Sequence, residues 1–471
     1  MQATRAGRFH EFVRLRPHRG NVSRLIRLGP NSRKIGVIPF MALLIAWLWL
    51  SCIYSLSPIQ VLKQGVRVVA TPVYSFIYRD DTSYVEETTR RYRVGTLRLL
   101  GSSAVDSWKR VEQTVPGFRC IQAPQSQKDP AIPFVYERTD AEYLRRFRSK
   151  CRLDEIVKGA PDEYDAMLRL GGWLGARWDH GTDKLPGDTL FWDPSAVVNA
   201  GEHGAKFWCE IAARTTVQAA TALGWPARLV TASRDGYTWE HAVAELWSNQ
   251  FGKWFVIDTD FNVVYESAGV PLSAFELSHQ GERLQRRGRL SVRAVAPPKA
   301  SLPFKDLIPF YAYVHVDMRN DWCSRPLRPG SPAGGDLAVW WTARPALAFI
   351  LTGKTRVDDP NIFDWRVNSV SIYALTARRL REDRLSLQIG LTGYSPMFEA
   401  FEVSLDGQAW KRIDGANHSL DLVKGAHTIA ARLVTGAGYP GPKSEIKFEL
   451  MSAARVANAA ADLPYRLASE N

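Results

Sequence analysis

Cys209, one of five cysteines in the chain, sits in "GAKFWCEIAARTTVQAATALGW", where Cys209, Ala213, Val217, Ala220 and Leu223 recur at intervals of four and three. This spacing predicts a helix over Lys206 to Leu223, with Gly224 as its C-terminal cap. A cysteine in the first turn lies where free backbone N–H groups and the positive end of the helix dipole favour the thiolate, the nucleophilic form. His241 and Asp258 follow in "TWEHAVAELWSNQFGKWFVIDTDFN". Two strand-like runs flank a turn there, and alternate residues of a strand share a face. Such a face holds His241, Val243, Glu245 and Trp247 on the first run, and Gly252, Trp254, Val256 and Asp258 on the second. A hairpin pairing Trp247 with Gly252, across a loop from Ser248 to Phe251, sets His241 directly opposite Asp258. An imidazole beside a thiol makes it a nucleophile, and a carboxylate beyond it fixes the tautomer and stabilises the imidazolium. Each residue alone has a plainer reading: a small core thiol, a satisfied sheet histidine, a strand-end aspartate. Together they point to covalent catalysis at a carbonyl. Asp260, two positions on along the same face, is the alternative orienting carboxylate.

These residues resemble the transglutaminase-like superfamily. Its pattern appears as Cys209 at a helix start, then Gly224 with Ala227, Arg228 and Val230, then His241 with Glu245, then "KWFVID" ending at Asp258. The resemblance covers roughly Asp162 to Leu277. It implies an α+β, papain-like core and a Cys209-His241-Asp258 site that attacks an amide or ester carbonyl and forms a thioester. Transfer to water would make a peptidase, amidase or deamidase, a hydrolase; transfer to an amine would make a crosslinking acyltransferase. Val243 and Thr259 stand where the family often has Trp and Pro, which bears on the shape of the acyl pocket. The oxyanion would meet the Cys209 backbone N–H and an upstream donor, with Trp173, Trp178 and Trp192 as candidates. No acidic loop has the density of a calcium site and no Cys and His spacing that of a zinc site, so the expected enzyme needs no cofactor. The rival expectation is an idle cell-envelope scaffold that binds protein or glycan.

The elements that position these groups come from a chain of 471 residues with 45% hydrophobic content, enough for several packed cores. Its net charge of +13 is uneven: residues 1–34 carry nine Lys and Arg against Glu11 alone. The main body therefore gives little support to nucleic-acid binding. The uncharged run Ile35 to Leu62 follows, long enough for the ~20 residues of a membrane-spanning helix, and its basic flank predicts a cytoplasmic N-terminus. A cleaved signal peptide fits less well, because the basic region and the apolar run are both long.

We therefore expect a basic cytoplasmic tail at 1–34, a transmembrane signal anchor at 35–57 and a membrane-proximal α/β region at 58–150. A transglutaminase-like catalytic domain follows at 151–296, then a connecting region at 297–365. Short alternating strands predict an immunoglobulin-like β-sandwich at 366–451, with a tail at 452–471. The fold class is α+β: a papain-like transglutaminase core with an N-terminal transmembrane helix and a C-terminal immunoglobulin-like β-sandwich. The site would face the periplasm of a bacterial inner-membrane protein, with protein, peptide or envelope polymer as substrate. Outside the cytoplasm, Cys120, Cys151 and Cys323 are available for disulfides, with Cys120 to Cys151 the favoured pairing.

Overall fold

A computed structural model describes residues 91–96, 103–124, 132–185, 193–236, 240–299, 306–325, 338–344 and 355–452. The anchor expected at 35–57, the tail at 1–34 and nearly all of 452–471 lie outside the described residues. Among the described residues, no helix is long and apolar enough to cross a membrane.

The hairpin of β4 (His241–Ser248) and β5 (Lys253–Asp258) lies inside a nine-stranded sheet. The other members are β3 (Ala227–Ser233), β6 (Val263–Ser267), β7 (Val270–Pro271), β8 (Ser291–Ala294), β9 (Tyr313–Asp317), β10 (Ala338–Thr342) and β11 (Thr355–Arg356). They run in the order β11-β10-β9-β3-β4-β5-β6-β7, with β8 also on β6. Every residue of β4 is buried because its two faces feed two cores. Ala242, Ala244 and Leu246 pack with the helices; Val243 and Trp247 pack with Trp254, Val256, Val314 and Val316 on the far side. A strand covered on both faces reads as an almost unbroken apolar run.

The helical layer includes α2 (Glu142–Lys150), α3 (Leu153–Val157), α4 (Glu163–Gly175), α5 (Pro194–Glu202) and α6 (Cys209–Ala222), numbered after α1 (Ala104–Thr114). Asp162 caps α4, accepting from the Asp165 N–H at 2.8 Å, the role its place after Pro161 suggests. Helix α6 closes in a Schellman motif: Trp225 N–H donates to the Ala220 carbonyl and Gly224 N–H to that of Thr221. Gly224 takes φ +89°, and a Cβ there would sit 2.8 Å from the Ala437 side chain.

Residues 370–450 form the strands β12 (Val370–Arg381), β13 (Arg384–Tyr394), β14 (Phe398–Leu405), β15 (Lys411–Ile413), β16 (Asn417–Val423), β17 (Gly425–Thr435) and β18 (Ser444–Leu450). They divide between two sheets that share one core, Leu387 and Ile389 from one meeting Phe401, Ile429 and Leu433 from the other.

Two boundaries differ from the sequence reading. The segment expected as a separate region at 58–150 supplies β1 (Arg93–Gly95), which pairs with β13, and β2 (Phe118–Gln122), which pairs with β18. Helix α1 packs on β12, where the fully buried Trp108 donates its indole N–H to the Ile372 carbonyl at 2.8 Å. The connecting region expected at 297–365 supplies β9 and β10, because pairing β9 along β3 removes an open edge from the central sheet. Within the domain expected at 151–296, the exposed β8 pairs with β6. Cys120, Cys151, Cys209 and Cys323 are all free, so no bridge joins Cys120 to Cys151. Cys120 lies on a strand of the C-terminal sheets and Cys151 packs on the helical core, in different hydrophobic clusters.

Candidate active site

Cys209 is the first residue of α6, with Trp208 as the N-cap. The sequence places the helix start at Lys206; the structure starts it three residues later and brings the thiol nearer the helix end. The helical hydrogen bonds begin with Ile211 N–H donating to the Trp208 carbonyl at 3.1 Å, so the N–H groups of Cys209 and Glu210 and the dipole face whatever lies before the helix.

His241 opens β4 and Asp258 closes β5, so antiparallel pairing puts both at one end of the hairpin. The register differs from the expected one by two residues. Trp247 pairs with Trp254, Glu245 with Val256 and Ala244 with Ile257, and the loop is 249–252. A shift of two keeps each side chain on its face. His241 therefore meets Asp258 diagonally rather than directly, its Nε2 lying 2.7 Å from Oδ2. The other carboxylate oxygen accepts from the backbone N–H of Asp260 at 3.0 Å and of Phe261 at 2.9 Å, which fixes the carboxyl plane.

The thiol completes the set. Cys209 Sγ, a ring nitrogen of His241 and a carboxylate oxygen of Asp260 all lie within 4.8 Å of one another. Burial alone would lower the His241 pKa. The Asp258 carboxylate and the Cys209 sulfur outweigh it and hold the imidazolium well above pH 6.5. Burial pushes the pKa values of the Cys120 and Cys151 thiols upward, and that of Cys323 to about 12.

Of the two carboxylates weighed from the sequence, Asp258 holds His241 and Asp260 does not take its place. Asp260 is instead bound by His180, whose Nδ1 lies 3.1 and 2.9 Å from its two oxygens. The Lys299 ammonium stands 3.8 Å from Oδ1 of Asp260. Cys209, His241 and Asp260 have a spacing that metal donors also use, but Asp260 is engaged through both oxygens, and the thiol–imidazole contact is the one covalent catalysis requires. We assign no metal to it.

Among the upstream tryptophans, Trp178 packs edge-on against Phe207, two residues before the nucleophile. Its buried indole N–H has no hydrogen-bond partner among the described residues. Trp173 is engaged by the Arg177 guanidinium at 4.5 Å, and Trp192 lies outside the described residues.

Arg228 and Glu245, both part of the sequence pattern, are buried structural partners. Arg228 Nε donates to Glu245 Oε2 at 2.7 Å, and its guanidinium lies against the rings of Trp254 and Trp365, 4.4 Å from each. His180 and Lys299 escaped the sequence reading. The partners His180 and Asp260 are 80 residues apart, and no periodic pattern links them.

Residues 152–259 match the family model described as the transglutaminase-like superfamily. Among solved structures the chain is similar to red sea bream transglutaminase, at 10% identity and a TM-score of 0.21, over 75% of this chain and 79% of that one. A likeness so slight assigns no residue. No curated protein matches the chain. The match over the segment that carries the thiol, the imidazole and the carboxylate shows that residues 152–259 are a domain of the transglutaminase-like superfamily.

Proposed function

We propose that the protein is a cysteine enzyme that takes an acyl group from an amide or ester onto Cys209 as a thioester and passes it to water or to an amine. The observation that carries this reading is His241, which has a ring nitrogen within 4.8 Å of the Cys209 sulfur and its Nε2 2.7 Å from Asp258. His241 takes the thiol proton, the sulfur adds to the carbonyl carbon, and the same proton goes to the departing amine or alcohol. Asp258 keeps the imidazolium oriented throughout. The developing oxyanion meets the Cys209 backbone N–H at the head of α6, with the indole N–H of Trp178 as the second donor in this reading.

The setting we propose is the bacterial cell envelope. A signal anchor at 35–57 would leave residues 1–34 in the cytoplasm and the site in the periplasm, facing protein, peptide or polymer substrates. The two C-terminal sheets, immunoglobulin-like in this reading, would present them. A reporter active only in the cytoplasm, fused after residue 60, should be silent.

Alkylation at neutral pH with iodoacetamide, followed by peptide mass spectrometry, tests the site. Cys209 should label much faster than Cys120, Cys151 and Cys323, whose thiols burial holds in the protonated form. His241→Ala should remove that excess. Equal, slow labelling of all four thiols would leave only a scaffold.

A further inference from the structure

One edge of the central sheet is unguarded. All four residues of β8 are exposed, and among the described residues β8 pairs only with β6, which leaves its other edge open. Edges of this kind are normally blunted by proline, a bulge or a lysine on the strand. β8 has none of these: its register with β6 is continuous, and its single charge, Arg293, stands 3.5 Å from Glu266. Val295 N–H donates to the Asn262 carbonyl at 2.8 Å and so points toward β6. Alternation along the strand then turns the N–H and C=O groups of Val292 and Ala294 outward.

This edge leads to the site. Val263 pairs with Asp258 on one side and with Ala294 on the other, so Ala294 lies level with the triad carboxylate, about 10 Å from its backbone at two strand spacings. Beyond Ala294, the Asn262 side-chain amide donates to the Pro297 carbonyl at 2.6 Å, and the buried Lys299 ammonium comes to 3.8 Å from Asp260. Asp260 in turn offers an oxygen within 4.8 Å of the Cys209 sulfur. The other end of the edge is basic. Arg283, Arg286, Arg287, Arg289 and Arg293 are all exposed. Glu282 answers Arg286 at 3.6 Å and Glu266 answers Arg293, whereas Arg287 and Arg289 have no acid in ion-pair reach among the described residues.

We propose that β8 is the docking edge for the acyl donor, and that the donor is an extended, acidic peptide segment. It adds to the sheet as one more strand and carries its reactive carbonyl past Ala294 to Cys209. The inference rests on the thioester reading above and names a substrate class for it. Two features select this occupant. The outward N–H and C=O groups recur at every second residue, about 6.7 Å apart, a spacing that a peptide in strand form matches and a glycan or lipid headgroup does not. The guanidinium groups of Arg287 and Arg289 are then placed to meet carboxylates on that strand, away from the reacting residue. Main-chain bonds give the affinity and tolerate many sequences; the arginines supply the bias toward acidic ones. Docking itself makes and breaks no covalent bond.

Fluorescence anisotropy with the full chain carrying Cys209→Ala reads docking without turnover. The probe is a fluorescein-labelled peptide of alternating glutamate and valine that ends in glutamine and glycine. It should bind roughly 10-fold more tightly than the same peptide with lysine in place of glutamate. Methylating its alternate backbone nitrogens should weaken it by a similar factor, roughly 10-fold. Val292→Pro removes one outward donor while leaving the ladder to β6 intact, and should weaken binding about five-fold. Arg287→Glu together with Arg289→Glu should reverse the order of the two peptides. Equal binding of the acidic and lysine peptides, or a methylated peptide that binds as well as its parent, overturns the inference; the methylated peptide carries the test if Val292→Pro fails to fold. Phosphatidylglycerol vesicles that bind through Arg287 and Arg289 while the peptide does not would assign the basic edge to a membrane surface and overturn it too. The thioester reading is tested apart, by the burst of nitrophenolate that wild type should release from p-nitrophenyl acetate; its absence would defeat the Cys209 reading whatever the peptides do.

Discussion

At the residue scale, the charge state of His241 is set by opposing effects. Burial disfavours the imidazolium, while Asp258 and the Cys209 sulfur favour it and prevail. A pKa raised on folding contributes stability that is complete below the unfolded value of about 6.5 and is lost as pH rises through the folded value. The difference in unfolding free energy between wild type and Asp258→Asn should therefore shrink as denaturation is repeated at increasing pH above 6.5. Glu163 gives the same sign in another window. Burial lifts its carboxyl to about 7 against the hydrogen bonds from Gln250 N–H, Asn249 and Ser248. Its protonated form stabilises the fold below the unfolded value, and that stability is lost as pH rises through about 7. Thermal melts of Glu163→Gln should show a larger gain, or smaller loss, relative to wild type above pH 7 than at acid pH. These effects sit on groups that the sequence shows only as letters. The meeting of His241 with Asp258 was legible, because chemistry restricts which residue types can form such a pair and the hairpin brings both to one end. The second pair, His180 with Asp260, was not, since its meeting depends on how two loops close.

At the element scale, helix α6 and the β4–β5 hairpin were legible from periodicity, and both faces of the hairpin were assigned correctly. Its register was not, because the apolar pattern repeats every two residues and a slip of two satisfies it equally. What selects the register is tertiary: Glu163 at the head of α4 accepts from Asn249 and Gln250 in the hairpin loop, and Asn368 donates to Asn249. The helix end is as strongly specified. Gly224→Ala forces a side chain into a left-handed conformation and against Ala437, and should lower the unfolding free energy by about 1–3 kcal/mol in urea titrations. Arg228→Ala leaves Glu245 charged and buried, with a loss of about 3–5 kcal/mol expected from the same measurement.

At the scale of the whole molecule, the described residues between 91 and 452 form one compact unit, although composition suggested a chain of separable blocks. The sequence could not reveal this, because the pairings that join the blocks link residues far apart. The loop between β17 and β18 reaches the central domain, where Tyr439 packs on Trp225 and Ala437 meets Gly224. Arg93 pairs with Tyr394, and Phe118 with Leu450. Strands that leave the ribosome early must therefore wait, β1 for β13 and β2 for β18. Closing so wide a loop makes the last step of folding slow, and until then β2 offers an open edge to any neighbour. A chain arrested before Ser444 would never find its clasp.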